Sequence, residues 1–126
     1  MIKLLVDESY AFDYLSILNI KHDMDRENKQ KKENYFKCLN FLKAQFSDKS
    51  FFQSILDSKE FQNCYRANLL TFKAVDKAKK NKISASYVDK CNYKRYLVKE
   101  ILQKKFFNNN LTETKIGYEI YNKKDI

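Results

Sequence analysis

A chain of 126 residues and 15.2 kDa is the size of one compact domain, and two separately cored domains do not fit in it. Hydrophobic residues make up 44% and aromatic residues 15% of the chain, enough to fill a core, so wholesale disorder is excluded. One Gly and no Pro exclude glycine-cradle phosphate loops, collagen, proline-rich ligands and turn-dense β-sandwiches, and leave a mainly α fold.

In chain order, the spacing predicts a short strand over 2–6 and a first helix from Glu8 to about Ile20, capped by Asp7. Its buried face is expected on Tyr10, Ala11, Tyr14, Leu15, Ile17 and Leu18. Residues 21–34 are polar and charged, a loop or a solvated helix start, and a second helix runs to about Phe46 on Tyr35, Cys38, Leu39 and Leu42. A short helix is expected near 49–57 on Phe51, Phe52, Ile55 and Leu56. Asp57 and Glu60 have capping-box spacing for a helix from Ser58 to Lys80, which Asn81 stops. Ser84 caps a last helix that ends near Phe107 at Asn108 to Asn110, residues that tolerate left-handed backbone. Thr114, Ile116, Tyr118 and Ile120 then alternate as one face of a strand, with a helix from Thr112 as the rival reading. The expected fold is a single helical domain over 1–126, a compact bundle of four to five helices. A small two-stranded β ribbon pairing 2–6 with 114–121 is an optional addition.

The formal net charge of +9 is concentrated rather than spread. Residues 1–63 hold ten basic and ten acidic side chains and residues 108–126 three of each, so the whole excess lies in 64–107. There, twelve basic residues meet only Asp76, Asp89 and Glu100. Lysine outnumbers arginine 22 to 3, as codon bias in an AT-rich genome gives, but such bias does not remove acids from one segment.

On the helix from 58 to 80, Phe61, Tyr65, Phe72 and Val75 form the expected core stripe. Arg66, Lys73, Lys77 and Lys80 fall within an arc of about 60° on another side, a row roughly 21 Å long. Lys90, Lys94 and Lys105 share an arc on the next helix, so an antiparallel hairpin presents two basic rows to a phosphate backbone. The competing reading is a solvated lysine face, helped by cations at a helix C-terminus. Tyr93, Tyr96 and Phe107 are either stacking platforms for bases or a second packing layer.

Asn68, Asp76 and Arg95 interrupt apolar stripes and form an expected buried polar cluster, with Arg95 paired to Asp76, Glu100 or a carboxylate of the first helix. Cys38, Cys64 and Cys91 show no paired spacing and read as reduced core residues. His22, Asp23, Asp25 and Glu27 supply metal-ligand atoms, but the glycine of a tight calcium loop is missing and the acids also suit a helix start.

A strand ending in Asp7 and followed at once by a helix is similar to the opening of PIN-type nucleases, over about twenty residues. That resemblance implies metal-binding carboxylates. The several parallel strands of that fold would read as Val- and Ile-rich runs, and this chain has four Val in all.

These features lead to an expected non-enzymatic module that binds an anionic partner, nucleic acid first, through Arg66, Lys73, Lys77, Lys80, Lys90 and Lys94, with no catalytic residue, metal or cofactor. The alternatives are a protein-interaction subunit meeting an acidic surface or self-assembling, and a metal-dependent enzyme using Asp7, Glu8 and Asp13. No apolar run approaches the ~18 residues of a membrane span. The N-terminal apolar stretch stops at Asp7 and Glu8, short of a signal segment, so a cytoplasmic location without a membrane partner is expected.

Overall fold

Among the described residues, four of five helices begin at a side chain that accepts a hydrogen bond from the first turn. The computed structural model describes residue 2 and residues 5–108. Its helices are α1 (Glu8–Asp23), α2 (Lys29–Ala44), α3 (Lys49–Leu56), α4 (Lys59–Lys79) and α5 (Ala85–Phe106). Asn28 accepts from Lys31 N, Asp48 from Ser50 N and Phe51 N, Ser58 from Phe61 N, and Ser84 from Tyr87 N. Asp7 precedes α1 in extended backbone, but its side chain makes no capping bond. The cap of α4 is Ser58, and not the box expected from Asp57 and Glu60: Asp57 closes α3, while Glu60 turns inward.

Both predicted asparagine stops take left-handed backbone, Asn81 at φ 56° and Asn108 at φ 52°. After α4 the chain closes as a Schellman turn, Asn81 N donating to Ala78 O at 3.0 Å and Lys82 N to Lys77 O at 2.9 Å. Lys80 to Ser84 then reverse the chain, so that α4 and α5 form an antiparallel hairpin with the most extensive helix contact in the molecule.

The described residues form a compact, mainly α bundle of five helices. α1 lies against α2, α4 and α5, and α3 packs on α4. The core is built on Phe12, Leu15, Phe52, Ile55, Phe61, Cys64 and Leu102. Phe12 is its hub, with ring centroids 5.8–6.2 Å from those of Phe46, Phe52, Phe61 and Phe107.

Two faces differ from expectation for one reason. α1 touches three helices and buries Ser9, Phe12, Asp13, Leu15, Ser16, Leu18, Ile20 and His22, while Tyr14 is exposed. α4 is pressed between α1 and α5 and buries small side chains, Cys64, Ala67, Asn68, Thr71 and Ala74, between which backbones approach closely; Phe72 is displaced to the rim. Among the described residues there is no strand. Leu5 and Val6 are not in a ladder, and residues 114–121, the other half of the expected ribbon, lie outside the described residues.

Candidate functional site

The buried face of α4 leaves its basic row well turned to solvent. Arg66, Lys73, Lys77 and Lys80 are all exposed, centred about 160° around the helix from the buried stripe. Lys80 pairs with Asp76 at 3.1 Å, both side chains mostly exposed. Arg66, Lys73 and Lys77 make no ion pair among the described residues. On α5, Lys90 and Lys94 are likewise exposed.

The ion pair of Lys105 with Glu60 marks approximately where the two antiparallel helices run level. Antiparallel counting from that contact sets Lys94 level with Thr71, Lys90 with Val75 and Tyr87 with Ala78. The turn end of the hairpin therefore gathers Lys77, Lys80, Tyr87 and Lys90 within about 8 Å along the helix axis. Lys105 does not belong to the outward row. Its ammonium is directed to Glu60, a carboxylate only 4% exposed, whose pKa the Lys105 hydrogen bond holds below its ordinary 4.5.

The three aromatic residues considered for stacking are not free to do so. Tyr93 is buried, Tyr96 is half-buried and stacked on it at 6.2 Å, and Phe107 packs with Phe12, Phe46 and Phe51. Tyr87, which sequence reasoning passed over, is 43% exposed. It occupies one arc of α5 with Lys90 and Lys94, three and seven residues on. That spacing is visible in the sequence, where Tyr93, Tyr96 and Phe107 stand out instead because they lie off the main apolar stripe.

The polar cluster is present with one member changed. Asn68, 2% exposed, donates through Nδ2 to Asp13 Oδ1 at 2.9 Å and Ser16 Oγ at 2.7 Å. Arg95 reaches Asp13 Oδ2 at 3.4 Å and Asn92 Oδ1 at 3.2 Å, so its partner is the first-helix carboxylate. Asp76 lies at the surface, because the tilt of the true buried stripe carries position 76 outward to Lys80. The seam continues toward the α1 N-terminus, where Lys99 stands 3.7 Å over the Tyr10 ring, Ser9 N donates to Gln103 Oε1 at 2.8 Å and Gln103 Nε2 donates to Glu8 Oε1 at 3.2 Å. Sequence reasoning missed this extension. Its signal is the helical spacing of Ser9, Asp13 and Ser16 on one side and of Asn92, Arg95, Lys99 and Gln103 on the other.

Asp23, Asp25 and His22 contact neighbouring side chains of the protein. Asp23 accepts from Arg26 Nη2 at 2.9 Å and from the Tyr65 hydroxyl at 2.7 Å, and burial beside that carboxylate pushes the Tyr65 pKa up to about 12. Asp25 accepts from Lys31 Nζ at 3.1 Å, and His22 stacks on Tyr35 at 5.9 Å. Among the described residues no three His, Cys, Asp or Glu side chains are grouped to hold a metal ion. The three thiols are free; burial pushes Cys64 up to about 12 and Cys91 above its ordinary value, the reverse of an activated nucleophile.

An apolar groove of ≈ 700 Å³ runs between the N-terminal segment and α2, lined in part by Leu5, Val6, Ala11, Phe41 and Phe46, with Phe41 59% exposed. Among the described residues no helix is long and apolar enough to cross a membrane. Compared with known proteins, the chain matches no family model, no curated protein and no solved structure.

Proposed function

We propose that the protein is a non-enzymatic module that binds the phosphate backbone of nucleic acid through the α4–α5 hairpin. One observation carries this reading: Arg66, Lys73, Lys77 and Lys80 line up on the solvent face of α4, opposite the core, in a segment nearly emptied of acids. A row of about 21 Å follows a run of phosphates, and Lys90 and Lys94 add to it from the neighbouring helix. Lysine supplies point charge but not the bidentate fork that reads guanine, so the contact expected is to backbone and not to base edges.

The competing reading, contact with an acidic or apolar protein surface, has its material in the groove beside Phe41. An acidic protein surface would use the same lysine row, whereas contact through the groove alone leaves the row without a role. Fluorescence anisotropy with a labelled oligonucleotide at low salt tests the proposal. Binding should be measurable, and replacing Arg66, Lys73, Lys77 and Lys80 together by Gln should weaken it at least tenfold. Absence of binding at low salt removes the reading.

A further inference from the structure

We propose that the strand recognised is single, and that Tyr87 is the platform on which one of its bases stacks; this rests on the backbone-binding reading above. Tyr87 is 43% exposed, and the rings weighed against it are turned into the protein. Its position is set twice. Along α5 it shares an arc of about 60° with Lys90 and Lys94, so a strand held by those ammonium groups passes the ring. Across the hairpin, the Glu60–Lys105 register puts it level with Ala78, between Lys77 and Lys80. A phosphate chain following the α4 row therefore arrives at the turn end with a partly open aromatic ring beside it.

The chemistry selects the strand type. In a duplex the bases are already stacked on one another, and a tyrosine on the flank of a lysine row meets only sugar and phosphate. In a single strand the bases are free to turn outward, and an aromatic face beside a cationic track binds them with little sequence preference. The near absence of arginine agrees with this, since neither a stacked base nor a phosphate needs a bidentate reader.

The test compares wild-type protein, Tyr87→Ala and Tyr87→Phe on three probes: a fluorescein-labelled oligothymidylate, the same strand with abasic sites, and a duplex of the same length. Wild type should prefer the single strand to the duplex. Tyr87→Ala should lose about tenfold in affinity for the oligothymidylate with an unchanged dependence on salt, and Tyr87→Phe should bind as wild type does. On the abasic strand Tyr87→Ala and wild type should bind alike, because no base remains to stack. Equal affinity of Tyr87→Ala and wild type for the oligothymidylate, an equal loss on the abasic strand, or a preference for the duplex overturns the inference and leaves the backbone reading in place. Failure of wild type to bind any probe at low salt overturns both.

Discussion

Asp13 accepts from two sides at once, Asn68 on α4 and Arg95 on α5. A buried amide and a largely buried guanidinium need such partners, and removing the shared acceptor strands both. Asp13→Leu should therefore destabilise the fold by about 3 kcal/mol in urea denaturation. Arg95→Leu should cost less, since Asn68 keeps its partner and the Arg95 side chain is 30% exposed. Arg95→Leu should also leave nucleic-acid binding intact, as expected of a brace. Lost binding in a fully folded Arg95→Leu protein would make the cluster functional. Glu60 gives a pH signature. Its folded-state pKa lies below the unfolded value because Lys105 hydrogen-bonds the carboxylate, so its contribution is fully present above about pH 4.5 and is lost as pH falls through the lowered value. The stability gap between wild type and Lys105→Gln should be open at neutral pH and close in acid. A gap constant across that range would show that the pair is packing alone.

Helix ends were legible because capping chemistry is local. Asn81 and Asn108 are readable as stops from residue type and Ser84 from its place before apolar periodicity, whereas at α4 the spacing points to Asp57 and the cap is Ser58, one residue on. Asn81 allows a direct check at this scale. At φ 56° a β-branched side chain is strained, so Asn81→Val should lower stability by about 1–2 kcal/mol and Asn81→Gly should be neutral or better, read as thermal midpoints. Equal midpoints for the two variants would refute the left-handed turn. Helix faces were less legible. Phe61, expected in the core, is buried, but Phe72, expected there from its helical spacing, stands at the rim, while Cys64, Ala67 and Thr71 take the contact. Size ranks burial only when a helix has one neighbour; a helix held between two others selects small residues at the crossing. The same cause hid Asp13 and Ser16, which look like surface on α1 and are interior because α4 and α5 bring Asn68 and Arg95 to them.

The whole molecule divides its charge and its core along different lines. The apolar cluster draws on α1, α3, α4 and α5 and is lined by α2, whereas the +9 belongs to 64–107 alone. The basic row was legible because solvent-facing spacing depends on helical period and not on tertiary contact; what the structure adds is the register that places Tyr87 at its end. Net charge alone would attract nucleic acid without a site, so the decisive comparison holds net charge constant. Affinity for a single-stranded oligonucleotide should be followed against salt for wild type, for Arg66, Lys73, Lys77 and Lys80 replaced by Gln, and for the exposed α2 lysines Lys29, Lys32, Lys37 and Lys43 replaced by Gln. In a plot of log affinity against log salt, the α4 variant should lose about 0.7 of slope for each phosphate contact removed, and the α2 variant should keep the wild-type slope. Equal loss of slope in the two variants would contradict a built interface and leave only diffuse charge.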